Sequence, residues 1–191
     1  MVVKNLVAAL VTGLFLNVAG DPAPVAAQQP NSLASDSVFI QRAGSVGLLQ
    51  VKLGQLAEKR GTSPAVVEFG KRMVTDYSKA NEELKAAAKG AGYPAPVLLR
   101  QDQQIFNRFQ GKGRSSFDKA YMAEMVKQHR EEVQLFQGES AGGRVQTLKQ
   151  LASRMLPEME QRLSLATETA GSVGADVTAS SAAASEGSAT N

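Results

Sequence analysis

The stretch SPAVVEFGKRMVTDYSKANEELKAAAKG, residues 63–90, decides the fold class. Ser63 precedes Pro64, as is typical where a helix begins, because proline in the first turn loses no helical hydrogen bond. Gly90 is typical of a helix end. Between them, apolar residues recur every three or four positions and so share one helix face; they are Val66, Phe69, Gly70, Met73, Ala80, Leu84 and Ala87. The stretch predicts one long amphipathic helix.

Three further segments have the same periodicity, and no segment alternates as a half-buried strand does. They predict helices over about residues 36–60, 115–142 and 144–169. The Ser35-Asp36-Ser37 cluster supplies cap oxygens for the first of these helices. Asp118 stands as in a capping box for the helix over 115–142. We expect each of these carboxylates to cap its own helix.

The lengths of the connections predict the topology. Short turns join the first helix to the second and the third to the fourth, which makes two antiparallel hairpins. The long connection after Gly90 carries an amphipathic piece near Leu98 to Phe109, which predicts a short helix within a crossover. Two hairpins joined by such a crossover form the ferritin-like variant of the four-helix bundle. We therefore predict an all-α, ferritin-like four-helix bundle over residues 36–170.

The two ends of the chain differ in composition from the predicted helices. Lys4 is followed by an apolar run from Leu6 to Val18, too short to span a bilayer, and small residues surround the bond before Gln28. This pattern predicts a signal peptide over 1–27 and export to the periplasm or outer membrane; an uncleaved anchor or a buried helix is the alternative. Residues 28–35 form a linker. The low-complexity stretch 171–191 predicts a disordered tail, which could also be a tether.

Composition removes most enzyme classes. The chain has 191 residues, no Cys, one His and a net charge of +3. It can hold no disulfide, thiolate metal site, cysteine nucleophile, histidine cluster or lipoprotein anchor. Phosphate-cradling glycine motifs and helix-turn-helix signatures are also absent from the sequence, so nucleic acid is not an expected partner. No further segment is long and apolar enough to span a membrane.

Four polar residues lie on or beside the apolar stripes. They are Gln50, Tyr77, His129 and Arg162, one from each long helix. The first three fall at similar heights in a bundle, and Arg162 lies at the edge of its stripe. Because a buried polar group without a partner costs on the order of 1 to 3 kcal/mol, we expect these side chains to hydrogen-bond to one another.

His129 allows three interpretations: a neutral core residue, a metal or haem ligand, or an acid or base. The stripes offer one imidazole and no carboxylate at their centre, with Glu132 set three residues beyond His129. A bundle that binds two metal ions needs several carboxylates and imidazoles, more than these stripes offer, so no cofactor is predicted. A neutral His129 bonded to Tyr77 or Gln50 predicts that the urea midpoint falls between about pH 7 and about pH 5.

Basic residues gather in the crossover and at the start of the next helix; they are Arg100, Arg108, Lys112, Arg114 and Lys119. Over this stretch Asp102 and Asp118 are the acids, so its excess of positive charge equals the +3 of the whole chain. The cluster fits an anionic partner such as lipid or polysaccharide, or else an ordinary solvated face. The partner is therefore an unknown envelope protein or an anionic surface.

Several stretches on the four predicted long helices resemble the bacterial exported family known as domain of unknown function number four-one-four-two. The stretches are LGQLA at 53–57, FGKRMVTD at 69–76, KANEEL at 79–84, FDKAYM at 117–122, MVKQH at 125–129 and LP at 156–157. Together they span about Ser37 to Ala170. The resemblance implies a ferritin-like bundle in the cell envelope, often labelled a predicted outer-membrane protein, with no established activity.

The resemblance also implies departures at the polar positions. The family pattern has Glu at the position of Gln50 and His at the positions of Tyr77 and Arg162, which leaves His129 as the one residue retained. Losing an anion and gaining a guanidinium would repel a metal cation. We therefore expect a non-catalytic, structural or interaction protein with a degenerate polar layer. The alternative is a metal- or haem-binding protein that uses His129.

Overall fold

A computed structural model describes residues 32–177, which contain five α-helices and no strand. The helices are α1 (Ser32–Arg60), α2 (Pro64–Gly90), α3 (Arg100–Gln110), α4 (Arg114–Gly142) and α5 (Gln146–Ser172). The predicted all-α class is confirmed. The predicted signal peptide, residues 28–31 of the predicted linker and residues 178–191 of the predicted tail lie outside the described residues.

The ordered helices extend past both predicted boundaries of the bundle. Helix α1 begins at Ser32, inside the predicted linker, and α5 ends at Ser172, inside the predicted tail. Val173, Ala175 and Val177 then pack against the core. The bounds 36 and 170 of the domain stay a prediction, and the helix bounds differ from them by four residues at the start and two at the end. Scattered apolar residues in a Gly, Ala and Ser background obscured the contribution of this segment to the core.

The four long helices pack side by side. Helix α1 lies along α2 and helix α4 along α5, which are the two predicted hairpins; α1 also contacts α4, and α2 contacts α5. The predicted stripes face inward, with Ala88 rather than Ala87 buried at the end of α2. The core forms two apolar clusters, one toward each end of the bundle. The helices approach closely where Gly54 of α1 meets Gly70 of α2, since an added Cβ at Gly54 would lie 2.6 Å from the Gly70 carbonyl oxygen.

The crossover helix α3 docks on α1. Asp102 of α3 is buried, accepts a hydrogen bond from the Ser45 hydroxyl and lies 3.6 Å from the Arg42 guanidinium. The Ser45 hydroxyl in turn accepts the backbone N–H of Leu99 at 2.8 Å. These contacts satisfy a buried carboxylate and hold the start of α3 against the bundle.

The two hairpins repeat one another. Helices α1 and α4 have 29 residues each, α2 and α5 have 27 each, and the turns 61–63 and 143–145 are equal in length. Asp36 and Asp118 are each the fifth residue of their helix. The two hairpins can therefore be compared position by position.

Each of these aspartates caps the opposite hairpin, so the expectation that they cap their own helices is wrong. Asp118 accepts the backbone N–H of Thr62 at 3.1 Å and that of Ser63 at 2.7 Å, and also the Thr62 hydroxyl at 2.5 Å. We call this the first clasp. Such bonds satisfy donors at the start of a helix, here α2, whose N-cap Ser63 makes no side-chain cap bond.

The second clasp is its counterpart at the other turn. Asp36 accepts the backbone N–H of Arg144 at 2.9 Å and that of Val145 at 3.1 Å, just before α5 begins. A carboxylate at a helix N-terminus also interacts favourably with the helix dipole. The clasps thereby tie the start of each hairpin to the turn of the other.

Candidate functional site

The predicted polar layer lies between the two apolar clusters. Gln50, Tyr77 and His129 are at most 1% exposed, and Arg162 is 5% exposed. All four side chains are buried. Their hydrogen-bond partners, however, are not the ones expected.

The fifth member of the layer is Glu132 on α4, which sequence reasoning set aside. Its side chain is 3% exposed, and one carboxylate oxygen accepts a short hydrogen bond from the Tyr77 hydroxyl. The expectation that no carboxylate lies at the centre of the stripes is therefore wrong. The signal was available, because Glu132 stands three residues after His129 and hence on the same face of the helix.

Burial governs the protonation of this pair. Desolvation raises the pKa of Glu132 to about 7, although the Tyr77 hydrogen bond and the Arg162 cation both act to lower it. The pKa of Tyr77 is raised well above its ordinary value, first by burial and then by the charge of Glu132. The pair thus holds an ionisable carboxyl beside a phenol that stays protonated at physiological pH.

His129 is held by its own helix. Its Nδ1 lies 2.7 Å from the carbonyl oxygen of Met125, which accepts and cannot donate, so the proton is on Nδ1. Among the described residues Nε2 has no hydrogen-bond partner. The expected bond to Tyr77 or Gln50 is wrong; Tyr77 instead presents its ring, with the two ring centres 5.9 Å apart.

The surroundings of His129 disfavour the imidazolium. Burial and the Arg162 cation together lower its pKa to about 4, although the hydrogen bond to the Met125 carbonyl acts to raise it. His129 is therefore neutral at physiological pH. The Gln50 amide is also buried, and neither its oxygen nor its nitrogen has a partner among the described residues.

Arg162 connects the layer to the surface. Its guanidinium lies 4.8 Å from the centre of the Tyr77 ring, 3.1 Å from the Glu158 carboxylate and 3.6 Å from that of Asp76. This residue also lines an open groove of about 250 Å³ between α2 and α5. A cation thus stands over the one phenol of the layer, at its outer edge.

The layer leaves little room for a ligand. The cavity beside Tyr77 and Glu132 has a volume of about 10 Å³, which is about the space of one water molecule. Within residues 32–177, no group of three or more His, Asp or Glu side chains could hold a metal ion. The donors present are the second Glu132 oxygen, the His129 Nε2 and the Gln50 oxygen, a set that carries one anion at most.

The predicted basic cluster divides among several contacts. Arg108 forms an ion pair with Glu124 at 2.9 Å, and with Lys112 it lines a depression that also includes Lys127. Arg114 donates to the Lys59 carbonyl oxygen at 3.1 Å, at the end of α1. Arg100 and Lys119 are exposed on α3 and α4. Arg114 therefore caps a helix end, in addition to carrying charge.

Comparison with known proteins identifies the family of the chain. The family described as domain of unknown function, DUF4142, matches residues 21–169, and the chain belongs to it. No curated protein and no solved structure matches the chain. Along residues 32–177, no helix combines the length with the apolar character that a membrane crossing requires.

Proposed function

We propose that this member of the DUF4142 family is a non-catalytic, exported protein of the cell envelope that acts as a structural or interaction module. The observation that carries the proposal is the buried polar layer, in which Glu132 is bonded to Tyr77 beneath the Arg162 guanidinium. A catalytic centre needs a cavity in which a substrate contacts such groups. The cavity at this layer, about 10 Å³, holds about one water.

The chemistry of the layer supports the same proposal. The His129 imidazole is neutral and buried. The Glu132 carboxyl already accepts a hydrogen bond from the Tyr77 hydroxyl. Arg162 supplies positive charge where a metal centre would require anions. The polar groups thus satisfy one another in part and stabilise one arrangement of the four helices.

We infer that the helices have the ferritin-like arrangement. The support is the pairing of α1 with α4 and α2 with α5, the equal lengths of the repeated helices, and the crossover through α3. An experimental structure in which a two-fold rotation superimposes the hairpins is the expected result. Hairpins related by a translation would overturn the inference.

Export rests on the first 27 residues. Mass spectrometry of protein from envelope fractions is expected to find Gln28, or its cyclised form, at the N-terminus, because signal peptidase cuts after small residues such as Ala27. An intact Met1 in those fractions would identify the segment as an anchor. A chain found in the cytoplasm alone would overturn the proposal of export.

We propose an anionic surface as a partner, contacted through the depression lined by Arg108, Lys112 and Lys127, whose three cations outnumber the carboxylates of Glu124 and Asp176. The protein is expected to sediment with vesicles that contain anionic lipid. The bound fraction should decrease with added salt, since salt screens exposed charges. The variant Lys112→Glu should bind less, whereas Lys79→Glu, on α2, should bind as the parent does. Binding that ignores salt and both substitutions would overturn this partner.

A second candidate function is binding of a metal or haem through His129. The observation in its favour is that the buried Nε2 has no hydrogen-bond partner among the described residues. The cost of such an orphan atom would be recovered if it coordinated an ion. The Glu132 carboxylate on the same helix face would then be the second ligand.

Elemental analysis and the visible spectrum of protein purified from its native envelope distinguish the two candidates. We expect neither a stoichiometric transition metal nor haem. A metal that is lost in His129→Ala and Glu132→Gln would establish the second candidate, provided that Glu131→Gln retains it. Glu131 is a matched control because it is the exposed neighbour of Glu132 on α4.

A further inference from the structure

The second clasp contains a feature that the first lacks. Next to Asp36, the carboxyl of Glu139 on α4 is 2% exposed and lies against the turn. A Cβ added at Gly143 would be 2.5 Å from a Glu139 oxygen, so the turn packs directly on this carboxyl. At the equivalent position of α1 stands Ala57. The first clasp therefore has one carboxyl and the second has two.

Both carboxyls of the second clasp lie against one turn, Glu139 at Gly143 and Asp36 at Arg144 and Val145, and neither Glu139 oxygen has a donor among the described residues. A hydrogen bond to Asp36 is one of the causes that raise the pKa of Glu139. Two carboxylates have four acceptor atoms and no donor, so this bond exists only when one of them carries a proton. Asp36 already accepts two backbone N–H groups, whereas the Glu139 oxygens accept none among the described residues. The shared proton therefore belongs on Glu139.

The neighbouring charges agree with this assignment. Burial, the charge of Asp36 and the hydrogen bond to it together raise the pKa of Glu139 to about 7, although Lys149 on α5 acts to lower it. Lys149 itself donates to the Ala141 carbonyl oxygen at 3.1 Å. Tyr93, which follows α2, has a pKa raised by burial and then by the charges of Asp36 and Glu139. Arg144 contributes its backbone N–H to Asp36 at 2.9 Å.

We propose that the second clasp is a pH-sensitive latch: a proton shared between Glu139 and Asp36 holds the turn 143–145 against the start of α1, and loss of that proton releases the turn. Deprotonation leaves two anions side by side at the turn, where both side chains are buried. Their repulsion is relieved when the turn moves away. The first clasp, with Ala57 in place of Glu139, stays closed across the same range of pH.

The sign of the effect follows from linkage. A group whose folded pKa is raised above its unfolded value stabilises the fold fully below the unfolded value. That stabilisation is lost as the pH rises through the folded value, here about 7. The latch is therefore closed in mildly acidic surroundings and opens as they become alkaline. The proposed latch does not depend on the proposed function, so either proposal can be wrong while the other holds.

NMR on the full chain tests the latch at both clasps in one sample. With carboxyl-labelled glutamate, we expect Glu139 to titrate near 7. The backbone amides of Arg144 and Val145 should lose protection from hydrogen exchange about tenfold between about pH 5.5 and about pH 8.5. The amides of Thr62 and Ser63, bound at the first clasp, should keep theirs.

The variant Glu139→Gln supplies a permanent hydrogen and cannot ionise. Its Arg144 and Val145 amides should stay protected at about pH 8.5, while the control Glu131→Gln, exposed on the same helix, should behave as the parent does. Titration of Glu139 near its ordinary value, or equal loss of protection at both clasps, would overturn the proposal. If Glu139→Gln fails to fold, the two clasps of the parent still decide between these outcomes.

Discussion

The hairpin α1–α2 and the hairpin α4–α5 have the same helix lengths and the same clasp, yet their interiors differ in charge. The second hairpin buries Glu132, Glu139 and Arg162, whereas the equivalent positions of the first carry Gln50, Ala57 and Ala80. The backbone arrangement tolerates either set. The ionisable part of the core is therefore concentrated on one half of a repeated scaffold.

This difference separates what holds the fold from what makes it sensitive to pH. The clasps and apolar stripes are common to both hairpins and stabilise the bundle by burial and helix capping. The charges of the second hairpin are buried at a cost and change their protonation with pH. Replacing them with their counterparts from the first hairpin tests this division directly.

The largest expected effect is at the clasps themselves. Asp118→Ala should lower the free energy of unfolding by about 3 kcal/mol at about pH 7, since three donors lose a charged acceptor. Asp36→Ala should cost about 1 kcal/mol less, because Asp36 accepts hydrogen bonds from two donors whereas Asp118 accepts them from three. Urea unfolding measures both values. Equal costs would break the comparison between the two clasps.

The next effect is at Arg162, whose counterpart is Ala80. Arg162→Ala should cost about 2 kcal/mol, because the buried stem and the contact with the Tyr77 ring are lost. Without the cation, the pKa of His129 should rise from about 4. Urea unfolding and NMR of the one histidine measure these changes. Arg154→Ala, an exposed arginine of α5, should change neither quantity.

The pH profile of stability should reverse the expectation drawn from His129 alone. Glu132 and Glu139, with pKa values raised to about 7, stabilise the fold fully below 4.5 and lose this effect as the pH rises through about 7. His129, lowered to about 4, stabilises above 6.5 and loses this effect as the pH falls. The two carboxyls outweigh the one imidazole. The free energy of unfolding should therefore increase by about 1 kcal/mol per pH unit as the pH falls from about 7 to about 5.

Two substitutions separate the contributions of Glu132 and His129 to the pH dependence of stability. Glu132→Gln, which copies Gln50 of the first hairpin, should reduce the gain in the urea midpoint on acidification. His129→Gln should increase it, because the opposing imidazole is gone. A midpoint that falls on acidification in the parent would mean that His129 outweighs both carboxyls.

The smallest effect is expected for exposed charge on the first hairpin. Lys79 is 80% exposed and lies 4.0 Å from Glu83, so Lys79→Ala should change the unfolding free energy by less than about 0.5 kcal/mol. A larger loss in urea unfolding would show that surface pairs contribute to the stability of the first hairpin. Burial would then no longer explain why Arg162→Ala costs more stability than Lys79→Ala.

Much of the fold could be predicted from local pattern. The stripes over α2 and α4 and the burial of Gln50, Tyr77, His129 and Arg162 follow from the helical period. Hydrogen-bond partners could not be predicted in this way. Glu132 reaches Tyr77 across the interface between helices, and Asp118 reaches Thr62 from the other hairpin.

The sequence by itself determined the helical class, the two hairpins, the inward faces and the membership of the DUF4142 family. These properties depend on spacing along one helix or one turn, and they are visible in any window of the chain. The tertiary structure alone decided which aspartate caps which turn, that Glu132 rather than Gln50 bonds Tyr77, and that Glu139 lies beside Asp36. Such contacts join residues far apart in the chain, and their protonation depends on burial, which only the packed bundle creates.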